Sequence, residues 1–261
     1  RGFPGVLVID GHTHIGAWLH GATFRDADEA AAESVAYMDA NGVDAACSMS
    51  GGYMFSGTDY RLGNDFLIDV CRRIPERMIG FAHVNPNDSP GAILAELDRV
   101  YGAGIRCIKL INGYQENYPG DGPSLMAVYK YASEHGMLVF NHGWGTDEVM
   151  KISAEFPSVD FIYGHYHAVC DTAMKARANV YANVWNCGPC GWLDRGIENC
   201  GAEKFMYGSD AFLNCMSLGI GPVVHAPISD EARRLILGLT MARLLEKVGA
   251  IPAKIKETYH I

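Results

Sequence analysis

Long apolar runs are missing from this 261-residue chain. No stretch approaches the ~20 residues of a membrane-spanning helix. Positive charge is also in short supply. Lys and Arg number 21 against 30 Asp and Glu, a net charge of −9, which argues against nucleic acid or an anionic membrane surface as a partner. Eight cysteines are too dilute for a disulfide framework at this length and fit a reducing, cytoplasmic setting. No signal-peptide pattern, linker, internal repeat or low-complexity segment is visible, so one domain over 1–261 is expected. A glycine-rich phosphate loop is absent too. The place for it, after the first apolar run, holds Gly11-His12-Thr13-His14-Ile15-Gly16, which argues against a dinucleotide-binding open sheet. What is present is a 49% apolar composition, enough for a sizeable core.

Short β-rich runs alternate with longer helical ones. The spacing predicts strands at Val6–Asp10, Val43–Met49, Met78–Val84, Ile105–Ile111, Met137–Asn141, Val159–Tyr163, Val180–Trp185 and Phe205–Tyr207. Between and after them, helices are predicted at Asp26–Asn41, Asn64–Ile74, Ser89–Tyr101, Ser124–His135, Thr146–Phe156, Val169–Ala178, Leu193–Cys200 and Asp230–Val248. Their ends carry local signals: Gly42 and Gly136 as stops, Ser89 as an N-cap with Pro90 behind it, and Pro75 and Pro157 as breaks. Strict alternation implies parallel strands with crossover helices. Eight such units at this length are expected to form an α/β fold of the (β/α)8 TIM-barrel type. The glycine-bearing loop from Ser50 to Tyr60, with Tyr53 and Phe55, reads as a mobile flap.

In such a barrel the C-terminal ends of the strands share the face that carries the active site. The first strand brings His12 and His14 there, the third His83, the fourth Lys109, the fifth His142, the sixth His165 and His167, the seventh Trp185, and the eighth Asp210. Six of the ten histidines gather on this one face. Alternate residues of a strand point the same way, so His12 and His14 aim at one point. Neutral imidazoles with one carboxylate suit Zn²⁺ or another divalent transition metal, which lowers the pKa of a bound water toward ~7. An Asp at such a site can move the proton. A second metal would need a bridging ligand, and Lys109, as a carboxylated lysine, is the candidate.

The segments Val8-Ile9-Asp10-Gly11-His12-Thr13-His14, Phe140-Asn141-His142-Gly143-Trp144, Phe156-Pro157 through Tyr163-Gly164-His165, and Met206-Tyr207-Gly208-Ser209-Asp210 resemble the metal-dependent amidohydrolase superfamily. The resemblance is to the amidohydrolase-related branch that includes aminocarboxymuconate-semialdehyde decarboxylase. Gly104 to Leu110 and Asn179-Val180-Tyr181 add weaker support. The resemblance implies that His12, His14, His142 and Asp210 hold a metal, with Asp210 also the proton shuttle and His165 polarising substrate and water or binding a second metal. It implies a mononuclear rather than a binuclear centre. That leaves Lys109 to bridge, to contact an anionic substrate, or to pair with a neighbour.

Two reactions fit this set. The first is hydrolysis of a C–O or C–N bond (lactone, ester or amide) in a small, carboxylate-bearing substrate. The second is nonoxidative decarboxylation of an aromatic or unsaturated acid. A chain short for the decarboxylases favours the first. An arginine clamp for a carboxylate would favour the second. Arg106 is expected to point away, and Arg61 and Arg195 are loop candidates. Tyr114, Trp144 and Trp185 are expected to wall the substrate pocket. His167 is either a substrate contact or a loop residue, His83 a satisfied group behind the site, and His225 a loop residue after the eighth strand. Cys187-Gly188-Pro189-Cys190 matches the thioredoxin redox motif but follows the seventh strand, late in a long chain. It is read as two thiols at the pocket rim. A homodimer is the expected assembly.

Overall fold

The computed structural model describes residues 4–16, 24–51, 60–185 and 191–261. Eight parallel strands pair in sequence order. They are β1 (Ile9–Ile15), β2 (Ala45–Ser50), β3 (Met78–His83), β4 (Cys107–Leu110), β5 (Leu138–Asn141), β6 (Phe161–Tyr163), β7 (Val180–Asn183) and β8 (Phe205–Met206). The crossover helices are α1 (Ala27–Asn41), α2 (Tyr60–Arg73), α3 (Pro90–Gly102), α4 (Pro123–His135), α5 (Thr146–Glu155), α6 (Asp171–Ala176) and α7 (Trp192–Cys200). The architecture is the expected (β/α)8 barrel. Among the described residues no helix is long and apolar enough to cross a membrane.

Local chemistry sets the helix ends where the sequence marks them. Asp26 accepts the Glu29 N–H at the start of α1, and Gly42 closes that helix at φ 69°. Ser89 caps α3 by accepting the Ala92 N–H, with Pro90 in the first turn. Alternation along the strands sorts two cores. Ile9, Cys47, Met49, Phe81, Leu138, Phe140, Ile162 and Met206 fill the barrel interior. Val8, Ala46, Ala82, Ile108, Val139 and Phe161 face the helices.

Three differences from the sequence expectation matter. First, β1 continues through the histidines to Ile15, and its register against β2 shifts between Asp10 and Thr13. That bulge belongs to the strand that carries the site, where such features re-aim side chains. Second, the last long helix is three pieces: α9 follows α8 (Met216–His225) and spans Asp230–Arg234, a π-helical stretch spans Leu235–Leu239, and α10 spans Thr240–Lys247. Third, α8 and α11 (Ala253–Tyr259) were not expected, and His225 ends α8 rather than lying in a loop. The inner core extends to Met241, Leu244, Leu245 and Ile255, so α10 and α11 close the N-terminal end of the barrel.

Closure between β8 and β1 is irregular. Beyond β8 the chain runs alongside β1 and exchanges single hydrogen bonds with it. The Gly11 N–H donates to the Tyr207 carbonyl (2.9 Å) and the Asp210 N–H to the His12 carbonyl (2.7 Å). One isolated parallel bridge, Thr13 with Ala211, completes the seam. Gly11 is required here, because a Cβ on it would lie 2.9 Å from the Tyr207 carbonyl oxygen. The expected flap falls largely on 52–59, outside the described residues, and so do Asn186 and the Cys187–Cys190 motif.

Candidate metal centre

Two overlapping clusters of ligand-type side chains sit at the C-terminal end of the barrel. One is His12, His14 and Asp210; the other is His12, His142 and His165. Within each, the ligand atoms lie within 4.8 Å of one another. β1 delivers His12 and His14, both buried, while Asp210 follows β8. His14 Nε2 lies 2.9 Å and His12 Nε2 3.5 Å from Asp210 Oδ1. The His142 ring, just past β5, is 4.8 Å from that of His12, and the His165 ring, past β6, is 4.4 Å from that of His142. Two of these residues hold left-handed backbone that non-glycine residues seldom adopt: His165 at φ 69° and Asp210 at φ 61°. Such strain collects at functional sites.

The protonation states suit a cation. Burial, then the charges of Lys109 and neighbouring imidazoles, hold His12 and His142 well below the ordinary histidine range. Burial lowers His14 although Asp210 pulls it up, and pushes His165 down to about 4. Asp210 is raised by burial but lowered further by the His14 hydrogen bond and by His14, His165 and Lys109, so it ends below its usual value. At neutral pH the set is therefore neutral imidazoles around an ionised carboxylate, the donor set that divalent transition metals take. Among the described residues His165 Nε2 is buried with no hydrogen-bond partner. A buried nitrogen in that state calls for a ligand. His12, His14, His142, His165 and Asp210 therefore fit a divalent ion.

Lys109 lies in the middle of the set and is fully buried. Its Nζ is 3.5 Å from His12 Nε2, 3.3 Å from both ring nitrogens of His142, and 4.1 Å from the Phe140 ring centroid. Burial pulls the ammonium well below the ordinary lysine range. Below it, His83 is satisfied on both nitrogens. Nδ1–H donates to the Lys109 carbonyl (3.0 Å), and Nε2 accepts from Gln115 Nε2 (3.1 Å).

The chain's wider kinship follows the same outline. The family model for amidohydrolases matches residues 9–247. The chain belongs to the amidohydrolase family. No curated protein matches it in sequence. Solved structures do match in fold. The 2,6-dihydroxybenzoate decarboxylase from Rhizobium is 16% identical, with TM-score 0.72 over 94% of this chain and 99% of that one. The 5-carboxyvanillate decarboxylase from Sphingomonas paucimobilis is 15% identical, TM-score 0.72, over 92% and 99%. A dihydroxybenzoic acid decarboxylase from Polaromonas sp. JS666, with bound manganese and 2-nitroresorcinol, is 14% identical, TM-score 0.74, over 94% and 99%.

In this member of the family not every anticipated site residue reaches the centre. Trp185 does, with its ring 6.1 Å from that of His165. Trp144 does not wall a pocket. It packs against Phe161 and Tyr163 in the helix–sheet layer, and its indole N–H donates to the Tyr129 hydroxyl (3.0 Å). An indole that finds an apolar slot and an acceptor together is held there. Tyr114 stands 66% exposed on a single turn after β4. His167 is exposed and lies edge-on to Trp192 instead of joining the ligands. Arg106 does point away, its guanidinium 3.9 Å from the Tyr101 ring centroid. Arg61 and Arg195 are helical, on α2 and α7, not in loops.

Residues that the sequence did not single out also support the cluster. Asp10 is buried beneath the histidine pair and accepts hydrogen bonds from both β1 and the segment after β8. Burial pushes its carboxyl up to about 6 against the pull of those donors. The available signal was an acid two residues before His12 in an apolar strand, where a carboxylate must find donors. Gly164 leaves the space that the His142 ring occupies. Nothing local to Gly164 announces that.

Proposed function

We propose that this chain catalyses the metal-dependent, nonoxidative decarboxylation of a small aromatic carboxylic acid. The observation that carries the reading is the architecture shared with decarboxylases of hydroxylated benzoates over more than nine-tenths of this chain, together with a histidine–aspartate cluster at the same end of the barrel where such folds act. Length no longer favours hydrolysis, because the match takes in 99% of the Rhizobium decarboxylase.

His12, His14, His142 and Asp210 would hold the ion, with His165 beside it. The ion, when bound, supplies positive charge that attracts and polarises an anionic substrate. Manganese in the Polaromonas relative makes a divalent ion, rather than zinc in particular, the cofactor proposed. In the reaction the bond between the ring and its carboxylate breaks, CO₂ leaves, and the electron pair is captured as a new C–H bond. One proton must reach that carbon. Asp210 is the carboxylate of the cluster, positioned by His14 and ionised at neutral pH, so we assign it a relay: it takes a proton from solvent and passes it to that carbon. His165 and Trp185 form the adjoining wall. Lys109, buried among the imidazoles of His12 and His142, would add a donor to the same site.

Hydrolysis is the second reading. It rests on Asp210 being held ionised at neutral pH, the state in which a carboxylate can take a proton from water. One experiment separates the two. Manganese- or zinc-loaded protein is offered dihydroxybenzoates and carboxylate-bearing lactones while CO₂ and acid release are both followed. CO₂ from a benzoate, lost by roughly 10²-fold or more in Asp210→Asn, is expected. Acid release from a lactone with no CO₂ from any benzoate would replace decarboxylation by hydrolysis. His12→Ala with His14→Ala should remove the bound ion, expected at about one per chain from the four-ligand set.

A further inference from the structure

Three of the four proposed ligand residues come from opposite sides of one seam. His12 and His14 lie on β1, and Asp210 lies beyond β8. This is where regular pairing is thinnest, since β8 has two residues and the rest of the junction is single hydrogen bonds and one isolated bridge. Behind the His14–Asp210 contact, the Asp10 side chain also spans it. The buried Asp10 carboxylate accepts the His12 N–H (3.1 Å) and the Ser209 N–H (3.0 Å) on Oδ1, and the Tyr207 hydroxyl (2.9 Å) and the Ser209 hydroxyl on Oδ2. A carboxylate has about four lone-pair sites, and donors from both sides of the seam take all of them.

Each of these bonds fixes a ligand-bearing stretch of backbone. The His12 amide is held directly. On the other side, Ser209 precedes Asp210, and its hydroxyl also accepts the Ala211 N–H (3.0 Å). The turn that keeps Asp210 in left-handed backbone is thereby braced on both flanks. We propose that Asp10 is a positioning residue for the metal centre. Its carboxylate sets the spacing between the His12/His14 pair and Asp210, and with it the affinity and geometry of the bound cation. This rests on the metal centre of the proposed function and not on which reaction follows.

The test uses the full chain and two metals. Mn²⁺ affinity is measured by titration calorimetry, coordination geometry by the visible spectrum of the Co²⁺-loaded protein, and stability by thermal melting. Tyr207→Phe and Ser209→Ala each remove one donor, whereas Asp10→Asn turns an acceptor into a donor among donors. The single-donor variants are expected to bind Mn²⁺ roughly 10-fold more weakly and Asp10→Asn roughly 100-fold, as loss of support to metal ligands typically does. The Co²⁺ bands should shift in each, and Ser209→Thr, which keeps the hydroxyl, should bind close to wild type. Variants that melt earlier yet keep wild-type Mn²⁺ affinity and Co²⁺ bands would overturn the proposal. If Asp10→Asn does not fold, the other two variants decide it. Wild-type protein that takes up neither metal would instead overturn the metal centre itself, and the proposal with it.

Discussion

Gly164 has no functional group, yet the centre depends on it. It follows β6, and a Cβ there would overlap the His142 imidazole, with Phe140 close behind. Gly164→Ala must therefore displace the His142 ring, which the proposed function assigns to the metal, or the backbone that faces it. Overpacking of this kind typically costs about 1–3 kcal/mol. The larger expected effect is on the cation, whose affinity should fall at least roughly 10-fold. Titration calorimetry against wild type checks this, and unchanged binding would mean that His142 is not a ligand. The contrast with His12 and His14 shows what a sequence conveys at this scale. Their meaning is local: two imidazoles at period 2 on an apolar run point the same way wherever the strand goes. The roles of Gly164 and Trp144 depend on side chains of other elements, so no spacing rule reaches them.

Elements were legible where their ends carry chemistry. Asp26, Gly42 and Ser89 do in the structure what their residue types favour. α8 was hidden because Gly219, Gly221 and Pro222 speak against a helix, while buried Met216, Ile220 and Val223 hold one in place. Tertiary packing outweighs propensity in such segments. The π-helical stretch was equally invisible, and it too has a tertiary reason. Its Ile236 carbonyl accepts the Tyr207 N–H (2.7 Å) beside the β1–β8 seam. Gly238 of the same stretch lies against the Leu7 carbonyl, with no room for a Cβ. Gly238→Ala should accordingly destabilise the fold by about 1–3 kcal/mol, read as a lower urea midpoint. The metal stoichiometry of the folded protein should stay at the wild-type value, since the contact lies at the opposite end of β1 from His14. A variant that melts like wild type would show that the stretch is free to move away from β1.

At the scale of the whole molecule, strict strand–helix alternation was enough to give the barrel and the face on which its chemistry collects. It was not enough to choose a reaction, because the same ligands serve hydrolysis and decarboxylation. The decarboxylation proposed above draws instead on the likeness of the entire fold to decarboxylases. Gathering so many imidazoles inside one barrel end has a consequence for the metal-free protein. His83 is wholly buried, and that burial pushes it down to about 4 from an ordinary 6.5. His12, His14, His142 and His165 are all shifted the same way. Between those values the unfolded chain binds protons that the folded one refuses, so their stabilising contribution is whole above pH 6.5 and is lost as pH falls toward 4. Asp10 acts in reverse: raised to about 6 from 3.8, it favours the folded state as pH drops through 6. For His83 the loss between pH 7 and pH 5 is about 2 kcal/mol, and Asp10 offsets a little over ~1 kcal/mol of the total. With five imidazoles against one carboxylate, apo stability should fall on acidification. Urea unfolding of metal-free protein at pH 7 and pH 5 measures the gap, and in His83→Asn, which keeps a donor toward the Lys109 carbonyl, the gap should narrow by about 2 kcal/mol. A metal-free wild type equally stable at both pH values would mean that these histidines are not buried neutral, and that the donor set is not preformed for a cation.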